Sequence, residues 1–129
     1  MKYIQNIETI IHENYSNPQF GVEMLAKLTG LSPPYLRETV YRCCQVGPQM
    51  LIENIRLEKA LDLISQNNAN LYDISKQAGF AYLKTFRRAI KRRLKMTPSE
   101  LQTLFGQSTH SRDLLDKLRE TLWQYEQQE

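Results

Sequence analysis

"LAKLTGLSPPYL", Leu25–Leu36, contains the end of one helix, a turn and the start of another. Val22, Leu25, Ala26 and Leu28 recur at helical spacing, and Gly30 closes that run. A glycine tolerates the left-handed backbone that often ends a helix. Ser32 offers a side-chain oxygen to the free N–H groups of the next helix. Pro33 follows at the first helical position, where no N–H is needed. Leu36, Val40 and Cys44 then mark a buried face. The small Ala26 lets the second helix cross close to the first.

The same pattern returns later in the chain. "DISKQAGF", Asp73–Phe80, places Ile74-Ser75 and Gly79-Phe80 where the first copy has Leu25-Ala26 and Gly30-Leu31, 49 residues earlier. Leu36-Arg37 and Val40 align with Phe86-Arg87 and Ile90 at an offset of 50, and so do Pro48 and Leu51 with Pro98 and Leu101. Short helix, glycine, apolar residue, helix: this is the grammar of a helix-turn-helix, present twice.

The rest of the chain also reads as helical. Ile4, Ile7 and Ile11 form a stripe that Asn17-Pro18 ends. Met50–Ser65 is a longer amphipathic helix with Leu57, Ala60, Leu61 and Ile64 inward, broken by Asn67, Asn68 and Asn70. A short helix from Tyr72 ends at Gly79, and another runs from about Tyr82 to Leu94. Thr97-Pro98-Ser99-Glu100 is a capping box. A last helix starts at Ser111, with Leu114, Leu115, Leu118, Leu122 and Tyr125 in one stripe. No strand signal competes, so the fold class is all-α. The expected division is a first helix-turn-helix subdomain in residues 1–49, a linking helix in 50–66, a second subdomain in 67–106 and a helical extension in 107–129.

The paired units resemble the DNA-binding domain of the AraC/XylS family of bacterial transcription regulators. The residues that carry the resemblance are "LAKLTGLSPPYL" (Leu25–Leu36), "RLEKALDLI" (Arg56–Ile64), "DISKQAGF" (Asp73–Phe80) and "MTPSEL" (Met96–Leu101). It covers roughly Ile4 to Leu104. It implies that the second helix of each unit enters a major groove. It also implies a transcriptional activator, commonly one that recruits RNA polymerase. Some positions depart from the family. Gly21 stands where a Ser or Thr cap is usual, Thr85-Phe86 where Tyr-Phe is frequent, Val40 where an aromatic is usual, and Tyr41 where a basic residue is usual. These departures bear on the sequence bound and leave the fold untouched. Family members commonly carry a sensing or dimerising domain ahead of this region, and no inducer site is carried over.

Charge agrees with a nucleic-acid partner. Of the chain's 17 basic residues, seven lie between Lys84 and Lys95 with no acid among them, leaving ten against 14 acidic residues elsewhere. A local positive field suggests a binding face. The cost is internal repulsion: Lys84/Arg88, Arg87/Lys91, Arg88/Arg92 and Lys91/Lys95 are like charges one turn apart, each weakening a helix by a few tenths of a kcal/mol. On a helical wheel Phe86, Ile90, Leu83 and Leu94 define the core side, the cations form a ridge opposite, and Arg93 falls near the buried edge. Residues early in a recognition helix reach base edges, and later ones reach the backbone. Lys84, Thr85, Arg87, Arg88 and Lys91 are therefore assigned to the groove, with Arg92 and Lys95 on phosphates. The competing reading is a solvated charged face.

In the first unit the outward positions are Pro34, Tyr35, Arg37, Glu38, Tyr41 and Arg42, with Gln45 near the end. Arg pairs with guanine, and Glu accepts from a cytosine amino group. Glu38 is equally an i, i+4 partner for Arg42. This helix lacks the cationic surplus and is expected to specify more than it attracts.

Cys43 and Cys44 are adjacent and the only cysteines, a poor geometry for chelation, so neither a metal site nor a disulfide framework is expected. No apolar run approaches a membrane span, no signal peptide opens the chain, and a cytoplasmic location is expected. No nucleophile–base, paired-carboxylate or phosphate-loop pattern points to an enzyme, and no cofactor is expected. The expected partner is double-stranded DNA, bound by one chain on an asymmetric site. The rival is a helix-turn-helix interaction module acting through Leu114–Tyr125. That stripe either docks on the chain's own body or forms a dimer seam.

Overall fold

The computed structural model describes residues 2–66 and 70–124. Asn67, Asn68 and Tyr125 fall outside the described residues. Eight helices follow one another, with no strand among the described residues. They are α1 (Lys2–Asn14), α2 (Val22–Thr29), α3 (Pro33–Cys44), α4 (Pro48–Ser65), α5 (Leu71–Gln77), α6 (Leu83–Leu94), α7 (Pro98–Gln107) and α8 (Ser111–Leu122).

Local chemistry sets the boundaries. Ser32 Oγ accepts from Tyr35 N, with Pro33 opening α3. Thr97 and Glu100 bond reciprocally at the start of α7, at 3.1 and 2.7 Å. The backbone N–H of Thr97 holds the Glu100 carboxyl below its ordinary range. Gly30 and Gly79 end the first helix of each unit at φ 74° and 97°. The repeat extends further than the aligned motifs. α3 and α6 both close on a left-handed non-glycine residue, Gln45 at φ 62° and Lys95 at φ 63°.

Two boundaries differ from expectation. The linking helix begins at Pro48 and not Met50, because Gly47 serves as its cap and proline suits a first helical position. The short helix begins at Leu71, capped by Asn70, whose Oδ1 accepts from Asp73 N at 2.8 Å. Asn70 thus starts the next helix as well as following the last.

α4 organises two cores. Leu51, Ile52 and Ile55 pack with Ile7, Leu25 and Leu36 in the first. Leu57, Ala60, Leu61 and Ile64 pack with Ile74, Phe86 and Ile90 in the second. With Ile52 at 0° and about 100° per residue, the first set centres near 310° and the second near 130°. The helix therefore buries opposite sides in its two halves. A single inward face, as the Leu57–Ile64 pattern suggests, describes only the second half.

α8 lies on α4 and α6. Leu115 and Leu122 are buried in the second core, and Leu114 and Leu118 pack against it. Trp123 packs against both cores, and its Nε1 donates to Glu58 Oε2 at 2.6 Å. Arg119 pairs with Asp62 of α4 at 3.6 Å. The described part of the stripe is docked on the chain's own body.

Candidate nucleic-acid interface

α3 and α6 expose the same register. Leu36, Thr39 and Val40 are buried in α3, and Phe86, Ala89 and Ile90 at the matching places in α6. The positions between them are exposed. Pro34, Tyr35, Arg37, Glu38, Tyr41 and Arg42 all lie outward on α3. Lys84, Thr85, Arg87, Arg88, Lys91 and Arg92 do so on α6. An apolar residue every three or four positions faces a core, and the polar remainder has nowhere to go but solvent. Each helix thus presents a polar face ready to meet a groove.

The charges on those faces are not equally available. Arg37, Lys84, Arg87 and Arg88 make no ion pair among the described residues. Lys91 lies close enough to Glu100 to help lower its carboxyl. Arg42 and Arg92, equivalent in the two copies, each hold a glutamate. Arg42 pairs with Glu38 one turn back at 2.5 Å, so the i, i+4 contact is present. Arg92 places its Nη2 on both oxygens of Glu53 in α4, at 2.6 and 2.7 Å. The phosphate-facing role expected of Arg92 therefore starts from a side chain already bound within the protein.

Lys95 departs from the helical ridge. Its left-handed backbone ends α6, with its N–H on Lys91 O and its Nζ on Arg92 O at 3.0 Å. The wheel angle that put it opposite the core does not apply, and Lys91/Lys95 is not a helical i, i+4 pair.

Arg93 is where the two copies part. Its counterpart Cys43 is exposed, whereas Arg93 is buried. Its Nη1 donates to Glu53 Oε1 at 2.7 Å, and its Nη2 to Asn54 Oδ1 at 2.5 Å and to Leu122 O at 2.8 Å. Its Nε has no hydrogen-bond partner. The end of α8 covers this guanidinium, and nothing comparable covers Cys43. Spacing suggested only that Arg93 sits near the buried edge. Its fixed contacts, and the double role of Glu53, carry no local signal because the partners lie 39 and 40 residues away.

No group of three or more His, Cys, Asp or Glu among the described residues is arranged to hold a metal. Neither Cys43 nor Cys44 forms a disulfide, and burial pushes the Cys44 thiol up, away from the reactive thiolate.

The chain matches the family model described as "Helix-turn-helix domain" over residues 25–103. It is 30% identical over 98 residues to Histidine kinase P4 of Formosa agariphila, which covers 76% of this chain but only 7% of that protein's length. Among solved structures, it is similar to the C-terminal domain of the two-component response regulator yesN from Fusobacterium nucleatum. That match has 26% identity and a TM-score of 0.75, covering 79% of this chain and 99% of the other. It is also similar in fold to the C-terminal domain of AraT, a response regulator from Geobacillus stearothermophilus. There the identity is 20% and the TM-score 0.77, covering 81% of this chain and 86% of the other.

Proposed function

This chain belongs to the AraC-type helix-turn-helix family of DNA-binding transcription regulators, and from that premise we propose that it reads one asymmetric duplex site with both α3 and α6. The family and fold are those of DNA-binding regulators and not of enzymes. The observation that carries the reading is the matched register of the two helices: equivalent stripes face the cores and equivalent polar faces point out. In this reading the first unit occupies residues 1–49, the second 67–106, and the linking helix between them holds the two readers.

The two helices divide the work. Lys84, Thr85, Arg87, Arg88 and Lys91 enter one major-groove segment, and Lys95 meets a phosphate beside it. Arg92 reaches a phosphate only while sharing its guanidinium with Glu53. Pro34, Tyr35, Arg37, Glu38, Tyr41 and Arg42 line the second segment, with Arg37 the principal base reader. The segments lie about 10 bp apart on one DNA face.

Selecting bound sequences from random duplexes with the purified chain, followed by footprinting, tests this. The expected result is an asymmetric site with two protected segments for one chain. A single protected segment, or a palindrome occupied by two chains, counts against it.

An activator that recruits RNA polymerase is the regulatory form of the same reading, supported by the family resemblance. Placing the selected site upstream of a weak promoter should raise transcription when the chain is present, and repression would reverse that part. Work on chromosomal DNA places the protein in the cytoplasm. No helix among the described residues is long and apolar enough to cross a membrane. The named relatives are a histidine kinase and the C-terminal domains of two response regulators, which supports an output role downstream of a signal. The packing of Leu114, Leu115, Leu118 and Leu122 against the second core supports this reading over an interaction module acting through that stripe.

A further inference from the structure

Arg56 stands where α4 changes sides. Residues up to Ile55 feed the first core, and those from Leu57 feed the second. Its guanidinium reaches the chain that leaves α1. Nε donates to Tyr15 O at 2.9 Å, and Nη2 to Asn17 O at 3.0 Å and Phe20 O at 2.9 Å. Burial lowers its pKa, yet a guanidinium stays charged at any ordinary pH. A cation across several carbonyls is a strong, directional tie.

Gly79 meets the same place from the second unit. A Cβ on it would stand 1.9 Å from Tyr15 O and 2.9 Å from Arg56 Nε. The α1–α2 connection, the middle of α4 and the turn of the second helix-turn-helix therefore touch with no room for a side chain. The equivalent Gly30 also has a left-handed backbone, but a Cβ there would meet nothing within 4 Å. The repeat makes the two glycines look alike, and only Gly79 lies between the units.

A second tie lies on the other side of α4. Glu58 is two residues on from Arg56, about 200° around the helix. It accepts from Trp123, which packs against both cores. One helix with cores on opposite sides can twist along its axis. Ties on two sides remove that freedom.

We propose that the Arg56–Gly79 contact sets the phase between α3 and α6, and thereby the number of base pairs between the two DNA segments that the chain accepts. This rests on the reading in which both helices insert. Arg56 is then a positioning residue, since it touches no DNA. Adding one base pair moves the second segment by about 3.4 Å and turns it by about 35°. A rigid pair of readers cannot follow that change, and a loosened pair can.

The test uses the selected site and duplexes with one base pair added or removed between its segments. Wild type should lose about tenfold or more in affinity on either altered spacing. Arg56→Met keeps most of the side-chain length and removes all three carbonyl contacts. It should bind the best spacing more weakly and lose less than about threefold on the altered ones. Gly79→Ala should broaden or shift the preferred spacing. Should Arg56→Met fail to fold by circular dichroism, Arg56→Lys serves, because its ammonium lacks the planar fork that spans three carbonyls. Gly30→Ala carries the same turn strain without the interface. It should lower the melting temperature and leave the spacing profile as in wild type. Folded Arg56 and Gly79 variants with the wild-type profile overturn the inference. So does a Gly30→Ala profile that changes as much as theirs. A wild-type chain indifferent to spacing overturns the two-reader reading itself, a failure that no variant is needed to see.

Discussion

Replacing Glu53 by Gln leaves a buried cation without its counter-charge. The Arg93 side chain is wholly enclosed, while that of Glu53 is 24% exposed. After the substitution Arg93 has only neutral oxygens to donate to: Asn54 Oδ1, Leu122 O and the amide oxygen at position 53. Breaking one side of a buried pair costs about 3–5 kcal/mol. Solvent reaches Glu53, so the lower end applies, about 3 kcal/mol. Arg93→Met has a different balance. Glu53 keeps Arg92 and some water, so no charge is stranded, and the loss is the donors to Asn54 and Leu122, about 1–3 kcal/mol. Combining the two substitutions should therefore cost less than their sum, and no more than Glu53→Gln alone. Urea denaturation of wild type, both single variants and the double variant measures this coupling. In thermal melts Glu53→Gln should fall by roughly 10 °C for a chain of this size. The substitution also frees Arg92 from its ion pair. If Arg92 then meets a phosphate, DNA binding should become steeper in log salt by about 0.9. A Glu53→Gln cost under about 1 kcal/mol, or strict additivity in the double variant, refutes the buried-charge argument.

Three further outcomes are expected. Lys95→Ala should weaken preferred and scrambled duplexes alike and flatten the salt dependence by about 0.9, whereas Arg37→Ala should cost about 1–3 kcal/mol mainly on the preferred duplex, measured by binding across a salt series. Deleting residues after Gly106 removes Leu115, Leu122 and Trp123 from the packing, and should lower the melting temperature while sedimentation still reports a monomer; an unchanged melting temperature refutes the docking role. The Glu100 carboxyl is held low by Thr97, so its contribution is present above the ordinary carboxylate range and is lost as pH falls through its lowered value. Glu100→Gln, which cannot titrate, should show a smaller drop in melting temperature than wild type between about pH 6 and about pH 3.

The sequence by itself determined the helices, the two turn glycines, the Ser32 and Thr97 caps, and the core-facing residues of α3 and α6. Each depends on neighbours within a turn or two, through a cap's reach or the period of one helix. The outward placement of Pro34, Tyr35, Arg37, Glu38, Tyr41 and Arg42, and of Lys84, Thr85, Arg87, Arg88, Lys91 and Arg92, followed from that same period. Residues whose meaning lies in distant partners were decided only by the tertiary structure. Arg92 and Arg93 are adjacent and chemically alike, yet one is exposed and the other enclosed, because the end of α8 covers one direction and not the other. Glu53 reads locally as one more surface acid, and the packing of α6 on α4 makes it the counter-charge for both. Lys95 continues the ridge on a helical wheel, but its left-handed backbone takes it off the helix. The repeat equates Gly30 with Gly79, and only the docking of the first unit's Tyr15 against the second unit's turn separates them. The period of a helix says which side is buried, but which element covers that side depends on how two similar units share α4.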